Sequence, residues 1–128
     1  MILVDSSVWI DFFKGKENTI PLFELIENNT ICINDLILAE LLPSVVHKRE
    51  KELVELLNSI TKLDLVVNWN QITSMQILNL KNGINKVGIP DLIIAQNAIE
   101  HGVELFSIDN HFFLMEKIHG YKMYNRKN

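Results

Sequence analysis

The chain opens with "MILVDSSVWIDFF" (residues 1–13), in which a short apolar run ends at an acidic residue and a second apolar stretch follows. Residues 2–4 are too few for a helix, and their composition predicts a buried β-strand. Asp5 or Ser6 is then well placed to cap a helix that runs to about Phe13, because Asp and Ser are preferred N-cap residues. This order raises the question of whether Asp5 is only a helix cap or also belongs to a reactive site.

The rest of the chain alternates apolar runs with segments of helical periodicity. Further strands are predicted at residues 31–33 ("ICI"), 63–67 ("LDLVV"), 104–108 ("ELFSI") and 121–124 ("YKMY"). Helices are predicted from Pro21, from Asn34 or Asp35 to about Val46, from Lys48 to Ile60, from Ile72 to Lys81, from Pro90 to about His101, and over residues 111–118. The second of these helices is expected to break or bend near Pro43. In the helix from Ile72, Met75 and Leu78 are expected to face inward. This alternation predicts an α/β sandwich with a parallel or mostly parallel sheet and helices on both faces.

Length and composition indicate a single domain spanning residues 1–128, with a short tail at 125–128. No apolar run approaches the roughly 20 residues of a membrane span. The first apolar run also lacks the preceding basic region of a secretion signal. The single cysteine, Cys32, lies in an apolar run and has no intrachain partner. We therefore expect a cytoplasmic protein with a buried, reduced thiol.

The net charge of −4 argues against nucleic-acid binding through a bulk positive field. Without the four acids discussed below, 12 acidic residues balance 12 basic ones, so the excess negative charge can lie in one place. If divalent cations are held there, the local charge becomes neutral or positive, and anionic substrates are compatible with the site.

Four acidic side chains are expected at one edge of the predicted sheet. In a parallel α/β fold, the carboxyl ends of strands and the first turns of helices lie at the same edge, where ligands usually bind. The four are Asp5 after the first strand, Glu40 in "NDLILAELL", Asp91 in "GIPDLIIA" and Asp109 after "LFSI". Each aspartate alone also suits a helix cap or a first-turn acid.

Glu40 is the hardest of the four to explain by helix structure alone. It lies beyond the first turn and shares a helix face with Leu36 and Ile37. A carboxylate on an apolar face needs a partner, and no basic residue lies between Thr30 and Val46 to supply one. We therefore interpret Glu40 as part of the acidic group.

Four carboxylates at one edge repel one another unless a cation holds them. An oxygen-only set without Cys or His suits Mg²⁺ or Mn²⁺ better than zinc. A site of this kind can activate water and stabilise charge on a phosphoryl group, which indicates phosphodiester hydrolysis.

The motifs that carry these acids resemble those of PIN-domain endoribonucleases, most closely the VapC-type toxins of prokaryotic toxin–antitoxin systems. The matching segments are "ILVDSSVWID", "LAELL" and "GIPDLIIAQNAIEHGVELFSIDNHF", and the resemblance covers essentially the whole chain. It implies a PIN-like three-layer α/β/α sandwich with a mostly parallel central sheet. All four motifs occur in order and at family-like spacing.

The resemblance implies Mg²⁺- or Mn²⁺-dependent cleavage of single-stranded or looped RNA that leaves a 5′-phosphate and a 3′-hydroxyl. The implied substrates are tRNA, rRNA or mRNA, and their cleavage would inhibit translation. It also implies a small antitoxin partner and a homodimer. Trp9, Phe12 and Phe13 are typical core residues, although some of these aromatic side chains can instead serve a partner groove.

Site residues carry over by motif position. Asp5 and Asp91 correspond to the principal metal ligands, and Glu40 and Asp109 complete the acidic quartet, binding a second metal or orienting the water. Ser7 corresponds to the polar residue whose hydroxyl supports the site. Four further residues are candidates for substrate binding: Lys14, Lys16, Arg49 and His111.

His111 departs from the pattern, because some relatives have another acid at this position, two residues after Asp109. It either contacts phosphate or moves a proton at the rim, or it is an ordinary histidine near a helix start. Its presence puts in doubt how firmly a second metal binds before substrate arrives.

Other protein classes agree less well with the sequence. A haloacid-dehalogenase-like phosphatase needs a second aspartate where Ser7 stands, and the paired acids of a receiver domain are missing. A flap-type 5′-nuclease needs a longer chain. A non-toxin PIN nuclease in RNA processing and a catalytically silent PIN-like binding module remain as alternatives.

Overall fold

The computed structural model describes residues 1–124. The tail predicted at residues 125–128 lies outside the described residues. The strands are β1 (Ile2–Val4), β2 (Ile31–Ile33), β3 (Thr61–Lys62) and β4 (Glu104–Phe106). The helices are α1 (Ser6–Phe13), α2 (Ile20–Glu27), α3 (Asp35–His47), α4 (Lys51–Ser59), α5 (Trp69–Lys81), α6 (Ile89–His101) and α7 (Asn110–His119), with a 3₁₀ turn at Glu17–Thr19.

Within residues 1–124 the sheet has four strands in the order β3-β2-β1-β4, and every pairing is parallel. The opening stretch of the sequence supplies the internal strand β1, where Leu3 aligns with Cys32 on one side and Leu105 on the other. All three side chains are fully buried. The predicted α/β fold with a parallel sheet is therefore confirmed.

The connections place the helices in two layers. From β1 the chain moves through β2 to β3, and it then crosses back to β4 on the far side of β1. Because parallel crossovers are right-handed, the helices before and after this reversal cover opposite faces of the sheet. In agreement, α1 packs against α3 and α3 against α4, whereas α5 packs against α6 and α7. The carboxyl edge of β1 and β4 lies where the strand order reverses, which is where ligands bind in open α/β sheets.

The predicted strand at 63–67 is wrong in its boundaries. Ladder pairing to β2 stops at Lys62, after which the Leu63 N–H makes one last hydrogen bond to the Ile33 carbonyl at 2.8 Å. Side-chain amides of α6 bind the following segment instead: Asn97 donates to the Asp64 carbonyl at 3.0 Å and Gln96 to the Val66 carbonyl at 3.0 Å. An apolar extended segment can thus be held without being a strand.

The second half of the predicted 121–124 strand forms only a single parallel bridge, between Met123 and Leu105. Helix boundaries also differ. The helix predicted from Lys48 begins at Lys51, because Arg49 has a φ of 58° that no α-helix continues through. The helix predicted from Ile72 begins at Trp69, where the Asn68 side chain caps it by accepting a hydrogen bond from the Gln71 N–H at 3.0 Å.

Two expectations about side chains and helix continuity also need correction. Met75 is buried as predicted, but Leu78 is 43% exposed and does not face inward. Of the break or bend predicted near Pro43, the break does not occur, because α3 runs without interruption from Asp35 to His47. Trp9 is fully buried and packs against the rings of Phe12 and Phe13, so its interpretation as core is confirmed. In residues 1–124, no helix has both the length and the apolar character needed to cross a membrane.

Candidate metal centre

Asp5 lies at the carboxyl end of the internal strand β1 and is only 4% exposed. It occupies the N-cap position of α1, but its side chain makes no capping hydrogen bond. Its Oδ2 instead accepts hydrogen bonds from the hydroxyls of Ser7 at 2.7 Å and Ser107 at 2.8 Å. Asp5 thus occupies the N-cap position of α1 without capping the helix through its side chain. Its carboxylate is held at the edge of the sheet instead.

Ser107 is a site residue that the sequence analysis missed. It follows β4, is 1% exposed, and its oxygen also accepts a hydrogen bond from the Asp109 N–H at 3.0 Å. One hydroxyl thus joins the ends of β1 and β4. The available signal was a small polar residue inside the apolar run "ELFSI", two residues before Asp109. Ser7 lies beside it, with the two hydroxyl oxygens 3.4 Å apart.

Asp91 and Asp109 approach the same edge from the first turn of α6 and the N-cap of α7. Burial, followed by the charges of Asp109, Asp5 and Glu40, raises the pKa of Asp91 to about 6, although His111 acts in the opposite direction. Asp91 therefore experiences the other three predicted acids electrostatically. Because the group is repulsive, a bound cation would stabilise it.

The expectation that Glu40 lies on an apolar face is wrong. Ile37 is buried on the inner face of α3, but Glu40 is an exposed residue. Protein around its carboxyl group still removes enough water to raise the pKa of Glu40, and the charge of Asp5 raises it further. A hydrogen bond with Ser6 works against both effects. Glu40 thus neighbours Asp5 without being buried.

His111 lies in the first turn of α7 and faces two of the acids. Its Nδ1 is 3.4 Å from Asp109 Oδ1 and 3.9 Å from Asp91 Oδ2. These three residues each offer one donor atom within 4.8 Å of the others. Asp109 also caps α7 by accepting a hydrogen bond from the His111 N–H at 2.9 Å. This hydrogen bond holds the backbone of His111 close to Asp109.

The three basic candidates for substrate binding lie in different places. Lys14 follows α1 and, together with Glu40, lines a cavity of 240 Å³ between α1 and α3. The Lys16 ammonium instead pairs with Asp11 Oδ1 at 3.4 Å. Arg49 lies past the C-terminal end of α3, whereas the acidic edge is at the other end of that helix. Only Lys14 is thus brought beside one of the acids by a shared cavity.

The donor atoms at this edge are carboxylate oxygens with one imidazole nitrogen. Oxygen-rich sets of this type suit hard divalent cations, so the residues fit the metal that the motifs predict. Donor atoms of Asp91, Asp109 and His111 lie within 4.8 Å of one another, and Ser107 links Asp5 to Asp109. These residues could hold such a metal, with Glu40 at the rim. Fold and edge together define an α/β protein with an acidic site at the carboxyl ends of its parallel strands.

The family model of the PIN domain matches residues 2–118, and the chain belongs to this family. The match includes every acid of the site. No curated protein matches the sequence significantly.

Solved structures of low sequence identity share the fold. A chain in VapBC2 from Rickettsia felis bound to a DNA fragment from its promoter has a TM-score of 0.75 at 22% identity, with 99% of this chain and 100% of that chain covered. DNA-bound VapBC from Salmonella typhimurium gives a TM-score of 0.72 at 20% identity, covering 96% of both chains. FitAcB from Neisseria gonorrhoeae gives 0.69 at 20% identity, covering 98% of this chain and 97% of that chain.

Removal of the Ser107 hydroxyl is expected to weaken divalent-metal binding. Ser107→Ala leaves Asp5 with one fewer donor and frees the Asp109 N–H, so both carboxylates lose orientation. Loss of such a supporting group typically costs 10–100-fold in metal affinity, and we expect about tenfold here. Isothermal titration with Mn²⁺ measures it. Ser59→Ala, at an exposed hydroxyl on α4, is the matched control and should leave the affinity unchanged.

Proposed function

We propose that this protein is a divalent-metal-dependent endoribonuclease and the toxin of a toxin–antitoxin pair. The observation that carries the proposal is the acidic cluster at the carboxyl edge of the sheet, where donor atoms of Asp91, Asp109 and His111 lie within 4.8 Å of one another and Ser107 links Asp5 to Asp109. Membership of the PIN family, whose members are nucleases, supports the same conclusion.

In this proposal Asp5, Asp91 and Asp109 hold Mg²⁺ or Mn²⁺, and Glu40 binds a second ion or orients the attacking water. A bound divalent ion supplies an activated water and stabilises negative charge on the phosphoryl group. Ser7 and Ser107 keep the Asp5 carboxylate oriented through their hydrogen bonds. Lys14 lines the α1–α3 cavity together with Glu40 and Lys48, and among the candidates from the sequence it is the one that we assign to the RNA backbone.

The substrate is proposed to be single-stranded or looped RNA, cut to leave a 5′-phosphate and a 3′-hydroxyl. Lys16, Arg49 and His111 remain substrate-binding candidates by sequence, although Lys16 is engaged with Asp11. A cytoplasmic location follows from an RNA target of this kind.

A small antitoxin and a second copy of the chain are the proposed partners. Support comes from the solved VapBC and FitAcB structures, which share the fold over nearly the whole of this chain. The other candidates are a PIN nuclease in RNA processing and a silent binding module. The acidic group argues against the silent module, because a scaffold gains nothing from mutually repelling carboxylates.

Incubation of the purified protein with total RNA and Mn²⁺ or Mg²⁺, followed by sequencing of new 5′ ends, tests the proposal. We expect a small set of discrete cleavage sites that disappear with chelator. Intact RNA under both metals would instead favour the binding module. A short neighbouring gene for a DNA-binding protein would favour the toxin, and a solitary gene would favour RNA processing.

Metal binding is expected to weaken below pH 6. Because the metal-free pKa of Asp91 is raised to about 6, protons compete with the cation for this carboxylate as the pH falls through that value. We expect the apparent affinity for Mn²⁺ to fall about fivefold between pH 6 and pH 5, and by up to about tenfold for each further pH unit. Titration calorimetry across this range measures the slope. An affinity that stays constant from pH 7 to pH 5 would remove Asp91 from the ligand set.

A further inference from the structure

His111 is the one nitrogen donor among the groups that face the candidate metal centre within residues 1–124. Its position follows from two features of α7. Asp109 caps the helix through the His111 N–H, and the imidazole then lies against Asp109 and Asp91. The ring is only partly exposed, with 33% of its side chain accessible.

The spacing of the three donors suits a shared ion. Two ligands held about 2.1 Å from one cation are about 3.0 Å apart when adjacent and about 4.2 Å apart when opposite. The distances from His111 Nδ1 to Asp109 Oδ1 (3.4 Å) and to Asp91 Oδ2 (3.9 Å) lie between these limits. Because all three donor atoms also lie within 4.8 Å of one another, side-chain adjustments of less than about 1 Å would place them around one cation.

An imidazole changes which cation the site prefers. Mg²⁺ takes oxygen ligands and water almost exclusively, whereas imidazole raises affinity for transition metals such as Mn²⁺, Fe²⁺ and Zn²⁺. We propose that His111 is a metal ligand through Nδ1, together with Asp91 and Asp109, and that this mixed set makes the site select Mn²⁺ over Mg²⁺. The proposal rests on the metal centre of the proposed function and assigns His111 a role different from contact with RNA.

The competing explanation is that His111 only pairs electrostatically with the two carboxylates. Such a pair would neutralise part of their charge and would be displaced when a cation binds. In that case a metal-bound protein has no nitrogen ligand from position 111, and truncation of the ring would strengthen metal binding or leave it unchanged.

The test uses the full chain, stripped of metal and titrated with Mn²⁺ and Mg²⁺ separately, without RNA. Three variants are compared with wild type: His111→Ala, His111→Asp and the control His47→Ala, at an exposed histidine in the last turn of α3. Pulsed electron paramagnetic resonance of bound Mn²⁺ reports whether a ¹⁴N nucleus is coordinated.

We expect ¹⁴N coupling in the wild type and in His47→Ala, and its loss in both His111 variants. We also expect His111→Ala to weaken Mn²⁺ binding at least about tenfold with a smaller change for Mg²⁺. His111→Asp replaces the nitrogen ligand by a carboxylate oxygen, so that every ligand is oxygen. This variant should lower the ratio of Mn²⁺ to Mg²⁺ affinity about tenfold.

Two failures are distinguishable by adding Asp91→Asn to the series. If Asp91→Asn loses Mn²⁺ binding while His111→Ala keeps its affinity and changes no ¹⁴N coupling relative to wild type, whether coupling is present or absent, His111 is not a ligand and the metal centre stands. If neither variant changes Mn²⁺ binding, the metal centre itself is wrong and both proposals fall.

Discussion

Asp91→Asn is expected to abolish metal-dependent RNA cleavage while making the metal-free protein more stable. The amide is a neutral, weaker ligand, so the metal's charge stabilisation of the transition state is lost. Losing about 4 kcal/mol of that stabilisation lowers the rate about a thousandfold. The measurement is a single-turnover cleavage assay with Mn²⁺, in which Asp5→Asn should behave similarly.

The gain in stability follows from the raised pKa of Asp91. This pKa is about 6 in the folded protein against an ordinary 3.8 for an aspartate, so ionisation opposes folding increasingly as the pH rises from 3.8 and fully above pH 6. Because the side chain is 26% exposed, we expect a gain of only about 1–2 kcal/mol at pH 7 from the amide. The gain should shrink as the pH falls from 6 towards 4, because the folded-state carboxyl is protonated there while the unfolded-state carboxyl, with a pKa of 3.8, is only partly ionised.

Urea unfolding of the metal-free proteins at pH 7 and pH 4 measures this difference. Asp35→Asn is the matched control, because Asp35 is 73% exposed and pairs only with Lys62 among the ion pairs of the described chain. Its rate of RNA cleavage and its stability should stay close to wild type. Wild-type cleavage by Asp91→Asn would overturn the assignment of Asp91.

Asn97→Ala is expected to have the largest effect on stability among the polar substitutions considered. Asn97 is fully buried in α6, and its Oδ1 accepts a hydrogen bond from Asn34 Nδ2 at 2.9 Å while its Nδ2 donates to the Asp64 carbonyl at 3.0 Å. Truncation leaves the buried Asn34 amide without this partner, at a cost of about 1–3 kcal/mol. It also removes one of two hydrogen bonds to the Asp64 carbonyl, which keeps the one from His101 Nε2 at 2.8 Å. We expect a loss of about 2–5 kcal/mol, a large fraction of the typical stability of a small domain.

Chemical denaturation monitored by tryptophan fluorescence measures the loss. Asn18→Ala is the control, since Asn18 is exposed and makes only a 3.4 Å side-chain contact with Asp11. A stability of Asn97→Ala within about 0.5 kcal/mol of wild type would show that the amide pair is not structurally important.

Local patterns predicted the elements that carry the site. The apolar run before Asp5 became β1, "ICI" became β2, and Asn34 caps α3 by accepting a hydrogen bond from the Ile37 N–H at 2.9 Å. Such patterns are reliable because strand burial and helix capping involve residues a few positions apart. The order of strands and helices was therefore enough to place Asp5 and Asp91 at the same edge.

Other features depended on contacts between distant parts of the chain. The segment at 63–67 satisfies the strand pattern, but Gln96 and Asn97 bind its backbone where a neighbouring strand would be needed. Glu40 satisfies an apolar-face pattern, but the packing of α3 leaves it exposed. The periodicity of apolar residues predicts neither outcome, because it carries no information about where a helix lies relative to the sheet.

The sequence by itself determined the alternation of strands and helices, the parallel sheet and the edge at which the acids lie. The tertiary structure decided which groups meet there: Ser107 holds Asp5 from 102 positions away, and His111 faces both Asp91 and Asp109. The physical reason is that side-chain contacts across a sheet depend on strand order and helix packing. Strand order and helix packing are established only when the whole core is assembled.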